Sequence, residues 1–403
     1  MNKTSITAMV AACALSALAV PSISNVRFSQ DMATGRVTVL YDLSCAADEC
    51  AIVTLDVWKD GASIGCSNIW SVSGDVNRKL SPGTDLKILW DPADDWRPDA
   101  DMTGVSIVPT AWTTNAPPPV MAVSLSAPSN VYYYAGLGAL PGGEGVSGRV
   151  WKCDWMVMRK VPAANVTWVM GKNSVFDTGV GNGRAYSHKV TFTKDYYIGV
   201  YPVTFGHWAN FAKRDDAGDI PYRPASGLKH VDWRGSSDDG INWPTLPADD
   251  PHRVAASSLL AAFRAKTGVP FDLPTDAQWE YACRAGKGTM WNSGSNVSSG
   301  ADDVCWYKSN ADEEAHEVGL KKPNSWGLHD FHGNMWEVVL DWCQDKLTAD
   351  ETDPVGPETG TTRVWRGGIY SQTYEYCHSG HRNDGTSSWA FGARLACPAV
   401  VSW

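Results

Sequence analysis

Between residues 22 and 112 the chain carries a succession of short runs rich in β-branched and aromatic residues: VRFSQD, GRVTVLYDLS, AIVTLDVWKDG, DLKILWD and GVSIVPTAW. Gly, Asp and Pro separate them, and several alternate apolar with polar residues over a few positions, as half-buried strands do. The pattern predicts an all-β module over residues 21–112, built as a small sandwich of two sheets.

Ahead of it, MNKTSITAMVAACALSALAV places one lysine before an apolar run from Ile6 to Val20 that ends in Ala17-Leu18-Ala19. Residues 1–20 read as a secretory signal, because the run is too short to span a bilayer and no stop-transfer follows. Val10-Ala11-Ala12-Cys13 also resembles a bacterial lipoprotein box, but the apolar run continues past Cys13, so membrane anchoring is possible and not favoured. The expected location is exported: periplasmic, cell-surface or extracellular. Export permits disulfides. Ten cysteines less Cys13 leave nine, an odd number that leaves one thiol single or joined to another chain. Cys45, Cys50 and Cys66 would supply one bridge to the sandwich, which is of the immunoglobulin or fibronectin kind.

Composition narrows the function classes. With 43% hydrophobic and 19% charged residues the chain is globular. A formal charge of −10 argues against a nucleic-acid partner, since no basic stripe exists to displace phosphate counterions. Twenty tryptophans point to aromatic-rich cores or binding surfaces.

The three consecutive prolines within Thr113–Asn130 and the turn-rich Leu140–Gly148 predict a stiff Pro/Gly-rich linker over 113–149. From residue 150 to 403 the pattern becomes long irregular stretches, scattered short strands and two helices. The first is expected in HRVAASSLLAAFRAKTG, closed by Gly268. The second lies in PTDAQWEYACRAG, where Thr275 and Gln278 form a capping box and Gly286 ends the helix. No repeat of fixed period is present.

Four segments in order, WMVMRKVPAANVTWVMG, KDYYIGVYPVTFGHWANF, FDLPTDAQWEYACRAG and KKPNSWGLHDFHGNMWEVVLDW, resemble the formylglycine-generating enzyme family, also called the sulfatase-modifying factor domain. VWRGGIYS and FGARLAC stand where that family has its Gly-Gly strand and its last strand, so the resemblance covers residues 150–398. It implies an α+β, C-type-lectin-like fold with little regular secondary structure, stapled by calcium and disulfides. One implied bridge joins the helix cysteine, Cys283, to Cys397 in the last strand.

The same resemblance implies a copper site of two thiolates spaced C-x4-C after the Gly-Gly, which would activate oxygen to convert a substrate cysteine to formylglycine. The corresponding residues are Gln372 and Cys377, and the family's serine after Gly-Gly corresponds to Ile369. An amide oxygen is a poor Cu(I) ligand, so copper is not expected. Cys377 remains the candidate catalytic residue. Trp336, at the position of a groove tryptophan, forms the candidate substrate-binding set with Gln372, His378, His381 and Arg382. Cys377, His378 and His381 would share a metal if the loop curls; otherwise they are surface loop residues or hydrogen-bonding partners. Cys377 itself is read as a nucleophile, an inert thiol, or half of a disulfide to Cys343 or Cys305.

A structural calcium is implied at Asp330, the Gly333 and Met335 carbonyls, and Glu337, since Asp for the family's Asn keeps an oxygen and adds charge. The alternative for Glu337 is a salt bridge to Arg363 or Arg366. A second implied calcium site begins at Asn310 and Ala311. The expectation is therefore an exported member of this family with a degenerate thiol pair, binding a peptide, protein or glycan at the cell surface. The alternative is an active oxidase, or a related oxygen-dependent enzyme, that uses Cys377.

Overall fold

The structure, a computed structural model, describes residues 20–46, 49–96, 102–126, 130–171, 187–211, 220–235, 254–344, 349–385 and 391–400. The expected signal and lipoprotein box in residues 1–19 lie outside the described residues.

The runs read as strands in the N-terminal region are strands. Val37–Ser44 turns Val37, Val39, Tyr41 and Leu43 inward, as period-two alternation requires. It pairs antiparallel with Ser22–Gln30 on one side and Gly83–Trp90 on the other. Ala51–Lys59 pairs antiparallel with Val105–Thr113 along its whole length. The two sheets share one apolar cluster that includes Val39, Tyr41, Val53, Val57, Ile88 and Trp90.

The segment expected as a linker is structural, and that expectation is corrected. Val120–Ser124 is wholly buried and hydrogen-bonded on both edges, to Val131–Tyr134 and to Trp155–Val161. It lies within a five-stranded sheet that continues through Tyr196–Gly199 to the chain's last strand, Ala396–Pro398. The proline run leads directly into this strand, with the Pro118 carbonyl accepting the Tyr197 hydroxyl at 2.6 Å. VMAVS has no alternation because both of its faces are buried, so it carries no period-two signal beside the prolines that precede it. Ile52, on a strand of the N-terminal sheets, packs into the cluster formed by Met121, Tyr133, Met158 and Tyr197.

The first helix is shorter than its apolar pattern suggested. It spans Leu259–Thr267, starts where Ser258 Oγ accepts the Ala261 N–H, and ends at left-handed Gly268. The second spans Asp276–Arg284 with the expected reciprocal Thr275/Gln278 box. Ala285 and Gly286 both take positive φ at its end. Short helices and several small sheets make the architecture mixed α+β.

Among the described residues no two cysteines are joined by a disulfide, neither Cys283 to Cys397 nor any two of Cys45, Cys50 and Cys66. Cys283 packs in the cluster with Trp279, Ala282 and Phe331, whereas Cys397 packs in the other large cluster with Tyr133 and Tyr197. Burial pushes both thiols up, that of Cys283 to about 12.

Candidate functional site

The site grows from one strand and its turn. Arg363–Arg366 runs antiparallel to Glu337–Trp342, with Glu337 opposite Arg366. It ends in Gly367 and Gly368, both at positive φ, where glycine is favoured. A Cβ on Gly368 would land on the Cys377 sulfur, so the turn can close over that side chain only with glycine. The following loop is tied down by backbone bonds: Tyr370 N to Asn334 O at 3.0 Å, Lys308 N to Gln372 O at 2.8 Å, and Cys377 N to Tyr374 O at 2.9 Å.

Beneath the loop lies a buried charge network that the sequence reading missed. Arg366 donates to Asp276 and, at 3.0 Å, to Glu280, while its Nη1 holds the Ser379 and His381 carbonyls at 3.2 and 3.0 Å. Arg284 Nε reaches Glu280 at 2.8 Å. Arg382 Nε lies 2.6 Å from Asp276 Oδ2, a charge contact without hydrogen-bond alignment. Burial opposes the ionised form of Asp276, but the Arg366 and Arg382 guanidiniums hold its carboxyl below the usual range. Asp341, buried and facing Asp276, is pushed up to about 8 while its Oδ2 accepts the Asp276 N–H at 2.7 Å. The available signal was the i, i+4 spacing of Asp276, Glu280 and Arg284, which puts all three on one helix face.

The candidate cluster is buried, so the surface-loop alternative does not hold. Cys377, His378, His381 and Arg382 are 0, 3, 5 and 6% exposed, and Trp336 is 4% exposed. Trp336 packs beside Trp365 and His381, with ring centroids 6.4 and 5.8 Å away. Burial drives both imidazoles below their ordinary value, His381 to about 3. His381 Nε2 is enclosed without a hydrogen-bond partner, as is Gln372 Oε1. Ile369 packs against the large core cluster. Among the described residues no group of three or more His, Cys, Asp or Glu is arranged to hold a metal, so the Cys377–His378–His381 set is not assembled.

Cys377 instead meets Cys305. Both are fully buried in one small cluster with Met290, Trp291, Ala301 and Val304, and Cys377 Sγ points its weak donor at the Thr373 carbonyl, 3.9 Å away. Burial and the neighbouring Cys377 push the Cys305 thiol well above its ordinary value. At the positions implied for copper the residues do not fit, since residue 372 offers an amide oxygen in place of a thiolate.

Around the implied calcium ligands the structure is divided. Asp330 Oδ2 accepts the Gly319 N–H at 2.7 Å, whereas Oδ1 is buried with no hydrogen-bond partner. Burial, reinforced by the Glu337 charge, raises the Asp330 carboxyl to about 6. An open, buried carboxylate oxygen is what a hard cation would complete, so Asp330 fits. Glu337 has both oxygens engaged. Arg394 grips them through Nη2 and Nε at 2.9 and 3.2 Å, and Trp279 Nε1 donates to Oε2 at 2.7 Å. Its ion-pair partner is thus Arg394, correcting Arg363 or Arg366. Arg363 donates to the Leu340 carbonyl, and Arg366 is committed to Asp276 and Glu280. The Gly333 carbonyl accepts the Met335 N–H at 2.8 Å. At the second implied site, Asn310 Oδ1 accepts the Tyr307 N–H at 2.9 Å and the Ala311 carbonyl accepts from His316 Nε2 at 3.0 Å. Those atoms hold their own turn together.

Comparison with known proteins places this site in a lineage. Over 119 residues the chain is 37% identical to the formylglycine-generating enzyme of Streptomyces coelicolor, covering 26% of this chain and 38% of that protein. Over 118 residues it is 33% identical to the formylglycine-generating enzyme of Mus musculus, covering 26% of this chain and 32% of that protein. The match thus spans about a third of the length of each relative. Among solved structures, Treponema denticola variable protein 1 superposes with a TM-score of 0.45 at 24% identity, covering 60% of this chain and 95% of that one. The family model of the sulfatase-modifying factor enzyme 1-like domain matches residues 157–397, which include both glycines of the turn, Cys377 and the helix beneath them. By that match, the chain belongs to the sulfatase-modifying factor enzyme 1-like domain family.

Proposed function

We propose that this protein is a binding member of its family, not a formylglycine-generating oxidase, and that it is exported to act at the cell envelope on a peptide, protein or glycan ligand. The observation that carries the reading is the state of Cys377. Its expected partner position holds Gln372, and its sulfur is enclosed in an apolar cluster where it faces Cys305. A nucleophilic or metal-binding thiol needs access from solvent, and this one has none. Export is supported by the signal-like residues 1–20, and a partner other than nucleic acid by the charge of −10. A C-type-lectin-like arrangement with an immunoglobulin- or fibronectin-like sandwich before it is part of the same reading. So is a structural calcium resting on Asp330, whose side chain keeps a buried oxygen open.

The test is mass spectrometry of a Cys-x-Pro-x-Arg peptide incubated with the purified protein, Cu(I), reductant and oxygen, beside a Cys377→Ser control. The expected result is no conversion by folded protein. Formylglycine that depends on Cys377 would overturn the reading.

One observation favours a second reading. Cys305 and Cys377 together offer two soft sulfur donors, so an oxidase would hold Cu(I) between them in place of the usual C-x4-C pair. In that case conversion would be lost in both Cys305→Ser and Cys377→Ser, and gained by neither.

A further inference from the structure

Cys305 and Cys377 are far apart in sequence, yet the fold fastens their backbones together. Cys305 pairs in parallel with His332, and His332 Nδ1 donates to the Cys377 carbonyl at 2.7 Å. The tautomer follows from the other ring nitrogen, Nε2, which accepts the Asn292 N–H at 3.2 Å. Gly333 N donates to Gly367 O at 2.6 Å, and Asn334 N to Trp306 O at 2.9 Å, locking the same two segments. Each sulfur sits over a glycine. A Cβ on Gly333 would lie 2.7 Å from Cys305 Sγ, and one on Gly368 would collide with Cys377 Sγ. The lining is Met290, Trp291, Ala301 and Val304, with Tyr307 and Tyr374 packed against it.

We propose that Cys305 and Cys377 form a disulfide in the oxidised protein, which staples the loop after Gly367–Gly368 to the segment carrying Cys305. The pair meets in an apolar slot where a disulfide needs no charge and no hydrogen-bond partner, whereas two thiolates would need both. Two S–H bonds break and one S–S bond forms. The two electrons and two protons pass to a small-molecule disulfide, whose own S–S bond becomes two thiols. Because both sulfurs are fully buried in the folded chain, the exchange takes place while the chain folds, before the cluster closes. The inference does not rest on what the domain binds.

The experiment uses the full chain refolded with oxidised and reduced glutathione, alkylated under denaturing conditions and digested with trypsin without reduction. The expected result is a linked species joining the peptides of residues 288–308 and 367–382, which separates on reduction. Refolded protein in which both cysteines are alkylated, or in which Cys377 is linked to Cys343 or another cysteine, overturns the proposal. A second readout keeps the test independent of one digest. The thermal midpoint of wild type refolded in reductant should lie several degrees below that of wild type refolded with oxidised glutathione, and that difference should vanish in the Cys305→Ala/Cys377→Ala variant. An unchanged wild-type midpoint also overturns it. The peptide-conversion assay reads the binding proposal separately, so the two can fail independently.

Discussion

Arg394 and Glu337 form a buried bidentate ion pair, and the same guanidinium holds the Gly199, Val200 and His329 carbonyls. One side chain from the end of the chain thereby fastens the central sheet, the segment before Gly333 and the strand that pairs with Arg363–Arg366. Removing one partner leaves a charge with no compensation in the interior. Glu337→Gln should destabilise the protein by about 3–5 kcal/mol, read from chemical denaturation. Glu337→Gln with Arg394→Met should cost less than the sum of the single changes, because the two residues share one interaction. Additive costs would show that the pair is not coupled.

The Thr275/Gln278 box positions the helix that carries Asp276, Glu280 and Arg284 under the site. Thr275 Oγ1 accepts the Gln278 N–H at 3.1 Å, and the Gln278 side chain accepts the Thr275 N–H at 3.0 Å. Thr275→Ala should cost about 1 kcal/mol, measured as a shift in the unfolding midpoint. Thr275→Ser, which keeps the acceptor, should recover most of it.

Asp341 makes stability pH-dependent with a definite sign. Its folded-state carboxyl sits near 8 against an ordinary 3.8, through burial first and the Asp276 charge second. The folded state therefore keeps a proton that the unfolded state releases. This contribution is fully present below about pH 4 and is lost as pH rises through about 8. Asp341→Asn retains an acceptor for the Asp276 N–H and removes the titration. In denaturation at pH 5 and pH 8, the variant should gain on the wild type at the higher pH. A difference that is flat with pH would refute the assignment.

Calcium at Asp330 has a readout that does not need activity. Its open buried oxygen should make the wild type melt at a higher temperature with calcium than with a chelator. Asp330→Ala should melt at the same temperature in both. A wild type indifferent to calcium would refute the site at Asp330.

Legibility followed the range of the interactions involved. The capping box and the N-terminal alternation were readable because helix starts and strand faces are decided within a few residues. The Gly-Gly turn and Cys377 were readable through family resemblance. The burial of His378, His381 and Arg382 was not, because a run of His and Arg reads as exposed until a buried partner is known. Arg366, Asp276 and the two carbonyls it holds supply that partner. The Val120–Ser124 strand was lost for a related reason: its place between two neighbours depends on segments further along the chain.

By itself, then, the sequence determined the strand alternation of residues 22–112, the capped helix at Asp276–Arg284, the family, and the absence of a thiol at position 372. Only the tertiary structure decided that Cys305 meets Cys377, that Glu337 belongs to Arg394, and that residues 120–124 join the central sheet. The first group rests on local backbone geometry and on side chains within a turn or a strand repeat. The second rests on buried contacts between distant segments, where desolvation selects the partner and no nearby residue records the choice.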